Sequence, residues 1–176
     1  MDSLRRGIFP GSFNPLTVAH LEVARLAREH HALDLVTLAV SRVALDKPTP
    51  PGPPFDERIA LLESDLSSYD WLDVDITDKQ LIADIAAGYD VVIMGADKWQ
   101  QVQDERYYDS AATRDAALAT LPQVVVAERA DFAVTGSQAT VLRTPEAIHD
   151  VSSTAARDGD RTLMAPHARR YWSPDS

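Results

Sequence analysis

A glycine- and hydroxyl-containing turn that leads into a helix is the first segment whose residues could do chemistry. It reads GIFPGSFNPLTVAH over residues 7–20 and begins with a short apolar strand. Thr17 and His20 stand three residues apart at the start of the helix, so their side chains can converge on one point. A hydroxyl and an imidazole at a helix N-terminus suit the charge of a transferring phosphoryl group. The alternative is a plain strand, turn and helix, in which Thr17 is a cap and His20 is a surface residue.

Residues 151–157, VSSTAAR, form the second such segment. Three hydroxyls followed by an arginine can make a helix start that binds a polyphosphate through N–H groups, hydroxyls and the planar donors of Arg157. An ordinary serine or threonine cap has the same composition. Taken alone, the segment leaves both a phosphate site and a structural cap open.

The third segment is GADKW, residues 95–99, at the end of the most apolar predicted strand. Gly95 permits close approach of a ligand, Asp97 can accept from ribose hydroxyls, and Trp99 can stack on a ring. A turn followed by a core tryptophan is the alternative.

Cations near a proline-rich loop, residues 42–55, are candidates for further phosphate contacts. Arg42 and Lys47 lie in or beside this loop, and Arg58 lies in the next predicted helix. Each is equally compatible with a solvated surface charge, which is the usual state of lysine and arginine.

Strands and helices alternate through the chain and must position these segments. The pattern predicts strands over residues 4–9, 35–40, 71–76, 91–94, 124–127 and 139–142, and helices over residues 20–30, 56–66, 81–87, 97–106, 110–120 and 166–172. It predicts an α/β fold with a mostly parallel sheet covered by helices on both faces. Ligands of such sheets bind beyond the carboxyl ends of the strands, where residues 9–20 and 95–99 lie. No domain boundary is apparent, so we expect one domain over residues 1–176.

The composition narrows the class of protein. The 176 residues carry a formal net charge of −10 and no cysteine, which excludes disulfides, cysteine-bound zinc and a thiol nucleophile. The acidic balance argues against sequence-independent nucleic-acid binding, although a few focused cations can hold a small anion. No apolar run reaches the roughly 18 residues of a membrane span. We expect a cytoplasmic protein that binds neither nucleic acid nor membrane, and the sequence leaves open whether it forms a homo-oligomer.

The first two segments together resemble the paired signatures of the HxGH nucleotidylyltransferases. These are usually G-x-F-x-x-x-F-[DN]-P-x-[HT]-x-G-H near the start of the chain and ISSTxxR near its end, and here they stand in the same order. The resemblance implies a Rossmann-like nucleotidyltransferase fold. It also implies Mg-dependent adenylyl transfer, by direct attack of a small phosphorylated acceptor on the α-phosphate of ATP.

Two branches of that superfamily compete for the acceptor. GADKW and the ending VSSTAARDGDRTLMAPHARRYW are similar to nicotinate mononucleotide adenylyltransferases. PGSFNPLT and FDERIALL are similar to phosphopantetheine adenylyltransferases, which usually carry R-G-x-R where this chain has Met94–Asp97. We therefore expect nicotinate mononucleotide as acceptor, in NAD biosynthesis. The alternatives are phosphopantetheine, a sugar or alcohol phosphate with CTP as donor, or a catalytically silent nucleotide-binding relative.

The resemblance implies a role for each matching residue. His20 and Thr17 would contact the ATP phosphates, and Arg157 would hold the leaving pyrophosphate. The turn at Gly11 and Ser12 would supply N–H groups, and Trp99 would pack on the pyridine. The full set of implied substrate-binding residues is Pro10, Gly11, Ser12, Phe13, Arg42, Lys47, Gly95, Asp97, Trp99, Ser152, Ser153 and Thr154. No protein metal ligand is implied, because Mg²⁺ comes with ATP.

The chain departs from the signatures at several positions. Ala19 stands at the glycine of HxGH, and Asn14 stands where aspartate is commoner. The segment that helps hold the nicotinate in many family members has only a weak counterpart in Thr77 and Leu81. These departures bear most on the acceptor.

Overall fold

Six strands form one sheet in the part of the chain that the structure describes. The structure is a computed structural model, and it describes residues 3–43, 52–130, 133–136 and 138–172. The strands are β1 (Arg6–Pro10), β2 (Leu35–Ser41), β3 (Leu72–Thr77), β4 (Val91–Gly95), β5 (Gln123–Ala127) and β6 (Ala139–Leu142). They lie in the order β3-β2-β1-β4-β5-β6, and every neighbouring pair is parallel. The predicted α/β class is confirmed, and the sheet is wholly rather than mostly parallel among these strands.

Helices follow the strands in the predicted alternation. They are α1 (Val18–His31), α2 (Phe55–Leu66), α3 (Ile82–Ile85), α4 (Ala96–Gln103), α5 (Ala111–Ala119), α6 (Ser153–Asp158) and α7 (Pro166–Tyr171), with short 3-10 turns at Glu105–Tyr107, Glu146–Ile148 and Arg161–Leu163. Along the described ranges, no helix is long and apolar enough to cross a membrane.

The sheet separates two clusters of buried side chains. Burial on both faces explains why strand β4 has no polar residue before Gly95. Val91 and Ile93 join one cluster, whereas Val92 and Met94 join the other, because successive residues of a strand point to opposite faces. A strand buried on both faces is therefore continuously apolar.

Helix α1 begins two residues before the predicted start because Thr17 caps it. Its buried side includes Ala19, Val23 and Ala27, a spacing of four residues that keeps them on one face. The helix ends at Ala32, which has φ +49° and whose N–H donates to the carbonyl of Arg28. This left-handed ending is a common way to stop a helix.

The order of the strands reverses between β1 and β4. From β1 the chain proceeds outward through β2 and β3, and from β4 it proceeds outward through β5 and β6 on the other side. The carboxyl ends of these two central strands, Pro10 and Gly95, therefore border the crevice in which doubly wound sheets bind ligands. Two of the three segments singled out from the sequence leave the sheet at this crevice.

Candidate active site

The loop after β1 is organised by the ring of Phe13. This residue has φ +45°, a backbone conformation that few non-glycine residues adopt. Its ring packs edge-on against Phe9, with 5.5 Å between centroids, and against His20, with 5.0 Å. Strained backbone of this kind persists only where the surroundings hold it. The aromatic contacts thus fix the loop and the imidazole together.

Gly11 serves this packing rather than a ligand. A Cβ atom added to Gly11 would lie 2.8 Å from Cζ of Phe13, so the space that a side chain would fill is already taken by the ring. The Gly11 N–H donates to the carbonyl of Ala39 at 3.0 Å. The Gly11 N–H is therefore engaged within the protein, and its expected contact with phosphate stays a prediction. Ser12 is exposed and stays a candidate, whereas Pro10 is buried at the end of β1.

Thr17 positions His20 instead of facing the crevice. The Thr17 side chain accepts from the His20 N–H at 3.3 Å, and the Thr17 N–H donates to His20 Nδ1 at 3.0 Å. This reciprocal pair is a capping box with histidine in the place of glutamate. Thr17 is fully buried, and the expected direct contact between its hydroxyl and the ATP phosphates stays a prediction.

The same bond selects one tautomer of the His20 ring. Since Nδ1 accepts from the Thr17 N–H, the proton of the neutral imidazole lies on Nε2. The pKa of His20 is lowered from 6.5 to about 4, chiefly by burial and additionally by the positive charge of Arg129, while the negative charge of Asp97 acts in the opposite direction. His20 is thus neutral at pH 7, and its Nε2–H is a hydrogen-bond donor that a phosphate oxygen can use.

Arg129 joins this site and was not identified from the sequence. It lies two residues beyond β5, with Nη1 3.8 Å from the Asp97 carboxylate and Nε donating to the His149 carbonyl at 3.2 Å. Its side chain is 30% exposed, so it keeps access to solvent. The signal that could have found it is its place just beyond the carboxyl end of a buried parallel strand.

The two signature segments lie in direct contact. Ser153 Oγ donates to the Pro15 carbonyl at 2.8 Å, and Arg157 Nη1 donates to the Asn14 carbonyl. The contacts join segments 138 and 143 residues apart in the sequence. A role of VSSTAAR in holding the first loop, beside any role in phosphate binding, is therefore visible in the structure.

The remaining hydroxyls of VSSTAAR divide between capping and the surface. Ser152 is the N-cap of α6, and its Oγ accepts from the Ala155 N–H at 3.0 Å. Thr154 is exposed, and its Oγ1 accepts from Arg157 Nη2 at 3.3 Å. Ser152 is therefore a helix cap, one of the two roles that the sequence left open. Thr154 and its contact with the second nitrogen of Arg157 are exposed.

The GADKW segment divides between the surface and the core. Gly95 is the N-cap of α4, and a Cβ there would lie 2.8 Å from the Asp97 carboxylate. Asp97 is exposed at the first turn of the helix. Trp99 is only 1% exposed, and its indole N–H donates to the Thr135 carbonyl at 2.6 Å. The Trp99 ring thus belongs to the core, the alternative that the sequence left open, and it presents no open face in this structure.

Of the predicted cations, Arg42 lies at the surface just beyond β2. Its guanidinium lies 5.3 Å from the centroid of the Phe55 ring and 3.5 Å from the Asp78 carboxylate. Lys47 lies outside the described residues. Within the described ranges, no group of three histidine, aspartate or glutamate side chains is placed to hold a metal ion.

A cleft with two tyrosines lies against α4 and was not foreseen. Its empty volume is about 330 Å³, part of it open to solvent. It runs between the segment after β3 and the outer side of α4, and its lining residues are Gln80, Leu81, Ile82, Lys98, Gln101, Val102, Tyr107 and Tyr108. Lys98 follows Asp97 directly in the first turn of α4. Two phenol rings and an ammonium group therefore line this cleft, whereas the Trp99 ring is buried.

The fold and this crevice together define an enzyme that handles nucleotide phosphates. The chain belongs to the cytidylyltransferase-like family, whose model matches residues 8–159. It is 31% identical to the phosphopantetheine adenylyltransferase of Latilactobacillus sakei over 76% of this chain and 78% of that protein. Over 32% of this chain and 26% of the relative, it is 45% identical to a probable nicotinate-nucleotide adenylyltransferase of Gluconacetobacter diazotrophicus.

A solved structure shares the fold over nearly its full length. The Plasmodium falciparum nicotinic acid mononucleotide adenylyltransferase complexed with NaAD superposes with a TM-score of 0.69. The match covers 96% of this chain and 94% of that chain, at 14% sequence identity. The protein is thus an enzyme of the nucleotidyltransferase class, of the adenylyltransferase type that these relatives represent.

Proposed function

We propose that this enzyme transfers AMP from Mg-ATP to nicotinate mononucleotide, releasing pyrophosphate. The observation that carries the transfer is the neutral His20, held by the buried Thr17 cap at the crevice between β1 and β4. The Nε2–H of such a neutral ring can donate a hydrogen bond to a phosphoryl oxygen. Arg129 and Arg157 supply positive charge on either side of the loop.

The transfer needs no protein nucleophile. An oxygen of the acceptor phosphate forms a bond to the α-phosphorus of ATP while the bond from that phosphorus to the bridging oxygen breaks. The electron pair leaves with pyrophosphate. His20 Nε2–H then stabilises charge on the α-phosphoryl oxygens, and Arg157, Thr154 and the Ser12 N–H face the leaving group. Catalysis of this kind rests on alignment and electrostatics.

The tyrosine-lined cleft supports a flat, charged acceptor. Tyr107 and Tyr108 offer ring surface for stacking, which phosphopantetheine with its flexible chain would use poorly. The Tyr108 hydroxyl donates to the Val102 carbonyl at 2.7 Å, so its ring is held in place. Lys98, whose Nζ donates to Gln101 at 2.7 Å, provides the charge that would favour the carboxylate of nicotinate over the neutral carboxamide.

Phosphopantetheine is the second candidate acceptor, for two specific reasons. The relative matched over most of its length carries that name, and Thr17 stands where the first histidine of HxGH is common. A screen separates the candidates. The enzyme is incubated with Mg-ATP or Mg-CTP and, in turn, nicotinate mononucleotide, nicotinamide mononucleotide or phosphopantetheine, and the products are identified by mass.

We expect ATP and nicotinate mononucleotide to give the deamido dinucleotide and pyrophosphate. Turnover of phosphopantetheine alone would instead assign the second acceptor. Binding of ATP with no pyrophosphate from any acceptor would favour a silent relative. The His20→Asn variant is the control for contaminating activity, because it removes the proposed donor.

A further inference from the structure

Two buried polar atoms have no hydrogen-bond partner among the described residues, and their side chains line one cavity behind the loop after β1. Asn14 is 2% exposed, and its Oδ1 accepts no hydrogen bond from the described residues. Nε of Arg58 donates none to them either. Both residues line a cavity between the loop, α2 and α7. Unpaired buried polar atoms are rare and call for an explanation.

The chemistry of the two atoms is complementary. Oδ1 of Asn14 needs a donor, and Nε–H of Arg58 needs an acceptor. The cavity has room for the centre of about one water molecule, about 10 Å³, which is the least a water needs. One water can donate to Asn14 and accept from Arg58. The Asp65 carboxylate in the same wall is already engaged, because it accepts from the backbone N–H groups of His167 and Ala168.

The surroundings fix both ends of this link. A Cβ on Gly52 would lie 2.9 Å from Asn14 Oδ1 and 3.0 Å from the Trp172 ring, so the chain closes tightly over the amide. The Arg58 guanidinium lies 5.1 Å from the centroid of the Phe55 ring.

Asn14 connects this cavity to the phosphate-binding side of the loop. Its main-chain carbonyl accepts from Arg157, the arginine to which the proposed function assigns the leaving pyrophosphate. Any rotation of the Asn14 residue would therefore displace the guanidinium. Arg58 lies in α2.

We propose that Arg58 is a positioning residue for adenylyl transfer, linked through one buried water to Asn14 and through Asn14 to Arg157. The inference rests on the proposed function for its catalytic consequence, but the link itself can be tested without turnover. It predicts that the Arg58 and Asn14 side chains act as one unit. It also predicts that Arg58 affects ATP more than the acceptor, without requiring direct contact between Arg58 and a phosphate.

A double-mutant cycle tests the link. Arg58→Lys keeps the charge and most of the stem but removes Nε–H, and Asn14→Ala removes the acceptor. The melting temperatures and the ATP Kd are measured for both single variants and the double variant, with KM for ATP and kcat added where turnover is found. Arg170→Met, at an exposed position of α7, is the matched arginine control. Arg58→Met and Asn14→Ser replace any variant that does not fold.

Each single variant should weaken ATP binding about 3- to 30-fold, and the double variant should lose no more than the larger single loss. KM for ATP should rise more than kcat falls, and Arg170→Met should match the wild type. Additive losses in melting temperature would overturn the link. Coupled losses in stability with unchanged ATP binding would overturn the positioning role. Absence of turnover in the wild type, with coupled ATP binding intact, would defeat the proposed function alone.

Discussion

The loop after β1 and the segment after β4 border the same crevice but use their buried residues differently. In the first, buried Thr17 holds the ring of His20 and selects its tautomer. In the second, buried Trp99 anchors α4 to the Thr135 carbonyl, while Asp97 is exposed and Lys98 lines the cleft with the two tyrosines. Motif residues in both places are structural supports for a neighbour. A motif thus identifies where chemistry occurs more securely than which side chain performs it.

The largest expected effect on activity is that of replacing His20. His20→Asn keeps an acceptor for the Thr17 N–H but removes the Nε2–H donor. We expect kcat to fall on the order of 10²–10³-fold, as when one preorganised transition-state donor is lost. The melting temperature should change little, because the cap is kept. Steady-state pyrophosphate release and calorimetry measure the two quantities, with His30→Asn on the exposed side of α1 as control. A parallel loss of melting temperature would show that His20 is structural.

The pH dependence of stability tests the same residue. The folded-state pKa of His20 is about 4, below the value of 6.5 expected when unfolded. Between these values the unfolded chain binds the proton and the folded chain does not, so stability falls as pH falls from 6.5 to 4. The free energy of unfolding should lose on the order of 2–3 kcal/mol more in the wild type than in His20→Asn. Denaturant unfolding at pH 7 and pH 4.5 checks this, and equal pH slopes would contradict the assigned environment of the ring.

The next prediction concerns Lys98 in α4 and the choice between acceptors. Lys98→Gln should raise KM for nicotinate mononucleotide about tenfold, because a charged hydrogen bond is worth about 1.5 kcal/mol or more. KM for nicotinamide mononucleotide should hardly change, and Lys98→Arg should restore selectivity. Initial rates with both mononucleotides give the ratio. An unaltered ratio in Lys98→Gln would remove the cleft from the acceptor site.

Trp99 should show the smallest effect and only on stability. Trp99→Phe keeps most of the buried ring but loses the hydrogen bond to Thr135, which costs about 1 kcal/mol of unfolding free energy. KM for the acceptor should equal that of the wild type. Denaturant unfolding and acceptor titration provide the two readings. A clear rise in acceptor KM with unchanged stability would return Trp99 to the ligand surface.

The fold was predictable because its signal is local. Continuous apolar strands such as β4 and four-residue spacing in helices such as α1 identify the elements, and their alternation gives the parallel sheet. The two crevice segments were located for the same reason, since each follows a strand end.

The roles of individual site residues were less predictable because they depend on tertiary contacts. Phe13 belongs to the signature, but the pattern does not reveal that its ring fills the space at Gly11 or that the carbonyl of Ala39 takes the Gly11 N–H. Arg129 enters the site only because β5 lies beside β4 in the sheet. The tyrosine cleft needs residues from two separate parts of the chain to meet.

We propose that a neutral His20 is the donor to the transferring phosphoryl group. Its proton lies on Nε2 because the Thr17 cap occupies Nδ1. Nitrogen-15 NMR of the imidazole, assigned by comparison with His20→Asn, tests it most directly. We expect an Nε2–H tautomer with no protonation of Nδ1 from pH 8 down to about pH 5, and a shift of the Nε2 resonance when Mg-ATP is added. An Nδ1–H tautomer, or a titration midpoint near 6.5, would contradict it.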